Sequence, residues 1–307
     1  QDLNGNKLAD KIITSPGIVF KDYGYGGLKT LSMRGMSGEH TLILFNGEKI
    51  NSDQNGACDL NNVLIDEVEK IEVIRGGGSA YYGASAVGGI INIIPKTNFE
   101  KFGLKAGFSY GAYNYQKVSL GTTGSFAGIS YNLSYLKELS ENDYKYKFDD
   151  GGSIFEGNRK NSAFDINQIS LNLNNRLSDK SSLNLYAKYL YADRDIPSII
   201  TVNIARANQI DKDLLTIINY KYNFGKFNLT VSPSFRYSSY DYSDPNLSDG
   251  ITFVRGISDF YRYGLSGNSN ILISDNISSF TGAEVYHTNA ECVNYNDIKT
   301  RNQLGVF

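Results

Sequence analysis

Residues 227–238 read FNLTVSPSFRYS, and along this run the character of the side chains alternates. Phe227, Leu229, Val231, Phe235 and Tyr237 share one face of an extended chain, while Asn228, Thr230, Ser232, Ser234, Arg236 and Ser238 share the other, because successive side chains of a strand point to opposite sides. One face is greasy and the other wet. The division recurs at 127–137, with Ile129, Tyr131, Leu133 and Tyr135 against Ser130, Asn132 and Ser134. It recurs again at 181–191, with Leu183, Leu185, Ala187, Tyr189 and Tyr191 against Asn184, Tyr186 and Lys188. A soluble sandwich alternates too. Here, however, the polar face is small and uncharged or singly charged, and the apolar face carries aromatic rings near segment ends. An apolar ring with a polar tip is stabilised where hydrocarbon meets water. The pattern points to strands of a membrane-spanning β-barrel.

Loop lengths give a second, independent signal. Short connections are expected near Thr123 to Phe126, Arg176 to Ser181, Phe224 to Lys226 and Ser274 to Asn276. Long ones are expected near Glu138 to Ala163, Ala192 to Lys212, Asp241 to Ser258 and Ala290 to Asp297. Short and long take turns, as in outer-membrane barrels with tight turns on one side and extended loops on the other. About ten strands are expected between residues 98 and 307, with RNQLGVF at the end reading as a strand still running.

Composition agrees. The chain has 307 residues, 23 tyrosines, 16 phenylalanines and 31 glycines but only 5 prolines and no tryptophan, a mixture that favours strands and turns. Its formal net charge of -2 offers nothing to nucleic acid. No run approaches the ~18 uninterrupted apolar residues of a spanning helix. Cys58 and Cys292 match no zinc or redox spacing, and the reading favours two unpaired thiols. No secretory signal opens the chain at Gln1.

Residues 1–97 follow a different grammar: a short helical stretch near Leu8 to Ile13, then Pro16-Gly17, then strand-like runs between glycine-rich turns. Asn46-Gly47 between LILF and EKI predicts a two-residue hairpin, whose turn needs positive φ at both central residues. The glycines between Gly76 and Gly89 suit a backbone that must turn in a confined space.

Four stretches in order, SPGIVF at 15–20, LSMRG at 31–35, TLILFNGEKIN at 41–51 and VEKIEVIRGGGSAYYGASAVGGIINIIPK at 68–96, resemble the plug of TonB-dependent outer-membrane receptors, the importers of ferric siderophores and cobalamin. The resemblance implies a mainly β protein: a small α+β plug over residues 1–97, then part of an antiparallel barrel over 98–307, where the family's barrel has roughly 22 strands. Only 14 residues precede SPG and no TonB box is visible, so the chain is expected to be truncated at both ends. The family's apical plug loops fall at KDYGYGGLKT (21–30) and NSDQNGACD (51–59), making Tyr23, Tyr25, Asp53, Gln54 and Asn55 the expected substrate contacts. Arg34, Glu72 and Arg75 match residues that seat the plug against the wall. The implied partners are TonB with ExbB and ExbD, a ferric siderophore or cobalamin, and outer-membrane lipid of a Gram-negative cell. The full-length protein is expected to act as a monomer, with no cofactor and no nucleic acid.

Enzymatic signals fail. Tyr81 stands where GxGxxG needs its third glycine, Gly89 stands where a P-loop needs lysine, and Ser37 and Ser79 complete no GxSxG. His40 and His287 read as polar surface or lumen residues, and an outer-membrane phospholipase-type enzyme remains a weak alternative. Acidic loop residues (Asp143, Asp149, Asp150, Asp193, Asp195) match no EF-hand and read as ordinary loop charge rather than calcium ligands. The stronger rival is a passive porin or adhesin, which has no use for a plug. A polysaccharide-importing SusC-like receptor would carry a lysine-aspartate pair where this chain has arginine-glycine in VIRGGGSAYYG.

Overall fold

A computed structural model describes residues 17–63, 67–75, 86–97, 99, 101–200, 206–245, 254–274, 277–293 and 297–307. The expected helix near Leu8 to Ile13 and the glycine-rich run 76–85 lie outside the described residues. Among those described, the only helical elements are 3-10 turns at Gly38–His40 and Leu60–Asn62; the rest of the regular structure is strand.

The leading part holds a ribbon and a sheet. Strands β1 (Ile18–Asp22) and β2 (Lys29–Met33) pair antiparallel, with Ile18 opposite Met33 and Asp22 opposite Lys29. Strands β3 (Thr41–Phe45), β4 (Glu48–Lys49), β5 (Val68–Ile74) and β6 (Gly89–Pro95) form a four-stranded sheet in the order β4-β3-β6-β5. The β3–β4 turn is the one the sequence predicts, with Phe45 opposite Glu48 and φ of 52° at Asn46 and 84° at Gly47. The β3–β6 pairing is parallel. All five residues of β3 are buried, which explains why its apolar run does not alternate. Leu42 and Leu44 pack with Ala86 and Ile90 on one side. Ile43 and Phe45 join a cluster on the other side that extends beyond this sheet. At Gly89, with φ +146°, an added Cβ would lie 2.9 Å from the Ile74 carbonyl oxygen and from the Met33 sulfur, so strand and ribbon meet there only because no side chain intervenes.

The remainder is one up-and-down sheet. Its ten strands are β7 (Gly103–Gly111), β8 (Tyr115–Phe126), β9 (Ile129–Ser140), β12 (Phe164–Arg176), β13 (Ser181–Ile196), β14 (Ala207–Asn223), β15 (Phe227–Asp244), β16 (Val254–Ser274), β17 (Ile277–Cys292) and β18 (Lys299–Val306). They pair antiparallel in chain order, interrupted only by a separate hairpin of β10 (Lys145–Asp149) and β11 (Ile154–Asn158) in the long connection between β9 and β12. The fold is thus mainly β, a plug with part of an antiparallel barrel wall.

The predicted faces separate as the alternation requires. On β13, Asn184, Tyr186, Lys188, Leu190, Ala192 and Arg194 are buried, whereas Leu183 and Tyr189 are exposed. The buried set faces the plug: Tyr186, Leu215 and Ile217 of the wall belong to the same apolar cluster as Met33, Ile43, Phe45, Leu60, Ile91 and Ile93, and the Phe45 and Tyr186 rings lie 4.4 Å apart. The outward face carries two aromatic groups. Tyr222, Phe224 and Phe227 cluster at a tight turn, and the Phe235–Tyr263 and Tyr237–Tyr261 pairs lie further up, with ring separations of 4.2 to 5.3 Å. The ten residue-to-residue steps from Phe227 to Tyr237 span ~33 Å along the strand, or about 25 Å after a tilt near 40°. That is the height of an outer-membrane barrel's apolar band.

Several strands outrun their expected boundaries, β15 to Asp244, β16 from Val254 and β17 to Cys292 among them. Strand β8 runs through Phe126, and the turn falls on Ala127-Gly128, both at positive φ. Residues 192–196 and 207–212, expected as loop, continue β13 and β14. There Arg194 pairs with Asp211, and Asn208 bonds Asp193 at 2.7 Å. The backbone ladder persists while polar residues occupy both faces, so the hydropathy signal ends before the strand does.

Candidate functional site

The seam between plug and wall is built from buried charge. Arg262 on β16, with its side chain 2 % exposed, reaches Glu48 at 3.3 Å and Asp53 at 3.1 Å and also donates to the Lys49 carbonyl. Arg301 on β18 meets Asp53 at 3.1 Å, and the Tyr286 hydroxyl donates to Glu48 at 3.3 Å. Burial pushes the Glu48 carboxyl above the usual carboxylate range despite the Arg262 guanidinium beside it. Arg236 on β15 donates to the carbonyls of Ile50 at 2.9 Å and Asn51 at 2.8 Å, and is itself held by Asp213 at 2.7 Å. Arg194 holds Asp59 at 3.3 Å, and Tyr186 and Ser170 both donate to Glu67. In the pairs that cross the seam the wall supplies the cations and the plug the anions. Such pairs hold a geometry well but leave a costly unpaired charge when one partner is removed.

Within the plug, Asn51 shapes the loop that carries Asp53 and Asp59. Its side-chain amide donates to the Thr41 and Gly56 carbonyls at 2.9 and 2.8 Å and accepts from the Ile43 amide at 2.8 Å. This bracing presents residues 52–59 upward.

Above the seam lies a cavity of about 530 Å³. Its floor is plug, from the ribbon tip Tyr23 to Leu28 and the loop from Ser52 to Asp59; its sides are the upper ends of β12 to β15 and the neighbouring long connections. Tyr23, Tyr25, Gln54 and Asn55 line it. Tyr23 and Tyr25 are 67 % and 60 % exposed, and Tyr25 makes an edge contact with Tyr115 at 5.5 Å. Asp53 does not line the cavity. Its side chain is 2 % exposed and engaged by Arg262 and Arg301, so it belongs to the seam.

The three residues expected to seat the plug make no hydrogen bond or ion pair with the described part of the wall. Arg34 and Arg75 are exposed. Glu72 bonds Lys70 at 2.8 Å and Asn92 at 3.2 Å within the small sheet, and these partners hold its carboxyl below the usual range. Among the described residues the ion pairs to the wall join Glu48 and Asp53 to Arg262, Asp53 to Arg301 and Asp59 to Arg194, while Glu67 accepts from Tyr186 and Ser170 and Arg236 donates to plug carbonyls. The sequence did mark Arg236 and Lys188 as lone charges in otherwise small wet faces, which is the signal a lumen cation leaves. Among the described residues no group of three or more His, Cys, Asp or Glu is placed to hold a metal ion.

Both cysteines are free. Burial beside the cavity pushes the Cys58 thiol from its ordinary 9.0 up to about 12, whereas Cys292 is half-buried at the end of β17. A thiol reagent at neutral pH is therefore expected to modify Cys292 well ahead of Cys58, which mass spectrometry of the tryptic peptides would read. The raised folded value also sets a sign. The stability contributed by the neutral thiol is full below pH 9.0 and is lost as pH climbs toward about 12. Cys58→Ala should flatten that alkaline decline, and an unchanged slope would contradict the burial.

A plug fastened by buried charge to the inner face of an up-and-down wall, with a cavity roofing the seam, defines the architecture of a plugged β-barrel. Residues 1–90 match the family TonB-dependent Receptor Plug Domain. Curated relatives agree: the vitamin B12 transporter BtuB of Vibrio cholerae serotype O1 is 27% identical over 161 residues, 44% of this chain and 26% of its own length. The BtuB proteins of Vibrio vulnificus and Photobacterium profundum are 37% and 34% identical over 35% and 30% of the chain, and 18% and 15% of their own. Among solved structures, the unliganded ferric citrate transporter FecA superposes with a TM-score of 0.73 at 15% identity, covering 97% of this chain and 46% of that one. The ferripyoverdine receptor of Pseudomonas aeruginosa gives 0.72 at 12% identity, covering 96% and 43%. This chain carries, over residues 1–90, a plug domain of the TonB-dependent receptor type. It spans just under half the length of those two solved structures and matches about a quarter or less of the curated relatives.

Proposed function

We propose that the complete protein imports a scarce nutrient across the outer membrane of a Gram-negative bacterium, drawing energy from TonB with ExbB and ExbD. A ferric siderophore is the first candidate and cobalamin the second. In this reading residues 1–97 are the plug, residues 98–307 the first part of the barrel, and the full-length receptor works as a monomer surrounded by outer-membrane lipid. The observation that carries it is the floor of the cavity. A solute arriving from the long-loop side meets Tyr23 to Leu28 and Ser52 to Asp59, both plug loops, and the plug beneath them is bound to the wall by buried ion pairs. Passage needs the plug to yield. An outer membrane has neither ATP nor an ion gradient of its own, so the work must arrive by physical linkage. An open porin has no such obstruction, and that argues against the passive reading. Cobalamin draws support from the vitamin B12 transporters among the relatives.

The test is uptake in a receptor-deficient strain carrying the full-length parent gene. Accumulation of an isotopically labelled ferric siderophore or cyanocobalamin is expected only while TonB is present. Accumulation unchanged by deleting TonB would refute energised import.

A further inference from the structure

Five cations line the cavity, Arg159, Lys188, Arg194, Lys212 and Arg236, against four carboxylates, Asp59, Asp195, Asp211 and Asp213. Arg194 is matched by Asp59 and Asp211, and Arg236 by Asp213. Of the three other lining cations Lys212 is exposed, whereas Arg159 and Lys188 are more than nine-tenths buried, at 8 % and 7 % exposure. Neither has a carboxylate within ion-pair reach among the described residues. The Lys188 ammonium donates to one carbonyl, that of Asn62 at 3.0 Å, leaving two of its three protons without a hydrogen-bond partner among the described residues. The Arg159 guanidinium donates from Nη2 to the Ser198 carbonyl, while its Nη1 is buried with no partner. The one lining carboxylate outside the matched set is Asp195, on the strand β13 that also bears Lys188. A buried cation paired only with neutral oxygens is costly unless an anion arrives to meet it.

We propose that Lys188 and Arg159 form an anion subsite, so that the cavity takes a negatively charged ligand whose carboxylate, catecholate or phosphate oxygens complete the bonds these two side chains lack. The inference rests on the import reading and sharpens it: the cargo is an anionic chelate, preferred over neutral or cationic ones. Tyr23 and Tyr25 would then border the remainder of the ligand with exposed rings, suited to aryl groups. An ammonium and a guanidinium act differently on such a ligand. Arg159 presents a planar fork suited to two oxygens, and Lys188 a point charge that follows whichever oxygen is nearest.

The experiment is calorimetric binding to the purified full-length receptor in detergent. The probes are a ferric tris-catecholate (anionic), a ferric tris-hydroxamate (neutral), an ammonium-bearing ferric tris-hydroxamate (cationic), cyanocobalamin and iron-free citrate. The anionic chelate is expected to bind most tightly. Lys188→Gln, which still offers an amide to Asn62, and Arg159→Gln should each weaken it on the order of tenfold, with little effect on the neutral chelate. Lys188→Glu should reverse the preference toward the cationic chelate, a result that simple loosening of the fold would not produce. Equal binding of all three charges, or variants that leave the anionic chelate unaffected, would overturn the subsite. Should no chelate and no cobalamin bind, the import reading fails separately. Citrate then decides the subsite: binding that Lys188→Gln abolishes upholds it, and no citrate binding overturns it.

Discussion

Replacing Arg262 with methionine is expected to destabilise the seated plug by about 3–5 kcal/mol, the cost of leaving buried charge without its counterion. Glu48 and Asp53 would both lose a guanidinium, and the side chains of all three residues are no more than 3 % exposed. Arg301 still reaches Asp53, but its own side chain is 49 % exposed and screened by water. Thermal unfolding of the full-length receptor, followed together with limited proteolysis inside residues 41–59, measures the loss. Neutralising the partners as well, with Glu48→Gln and Asp53→Asn, should recover much of the stability, since the penalty lies in the stranded anions rather than in the missing attraction. A single variant that melts with the parent would remove Arg262 as the principal fastening.

Joining plug to wall should stop import outright. The side chains of Asn46, at the tip of the β3–β4 hairpin, and Asn184 on β13 meet at 3.2 Å. In a full-length receptor with Cys58→Ala and Cys292→Ser, cysteines placed at 46 and 184 and bridged by a short bifunctional thiol reagent are expected to abolish uptake while leaving ligand binding intact. A reducible bridge should restore uptake once cleaved. Undiminished import through the bridged receptor would mean that this hairpin stays on the wall while cargo passes, and the path would have to be sought on the other side of the plug.

The wall was legible in the sequence because its two faces meet different solvents. Period-two alternation located β9, β13 and β15, and Asn46-Gly47 announced its turn because few dipeptides accept positive φ twice in succession. Legibility ended where the solvent contrast ended. At 192–196 and 207–212 the ladder is carried by backbone and polar pairs, so strand looked like loop. The cavity floor was placed through Tyr23, Tyr25, Gln54 and Asn55, but Asp53 in the midst of that loop points into the seam. Nothing local distinguishes it from its neighbours, because its partner Arg262 lies 209 positions away. The same distance hid the seating charges. A lone arginine in a wet face signals that a counterion exists without saying which, and Glu48 announced itself only as part of a hairpin.

The ribbon of β1 and β2 has its open end at Ile18 and Met33 and its closed end at Tyr23 to Leu28, on the cavity floor. Tension applied ahead of residue 17 would load this ribbon as a zipper, parting one cross-strand pair at a time from Ile18 upward. The β3–β6 pairing behind it is parallel, and strands drawn past each other along their length must break their bonds together. Of these two pairings the ribbon is mechanically the softer, and it ends on the cavity floor. A modest tug from below could slacken the floor of the cavity while the rest of the plug holds its place.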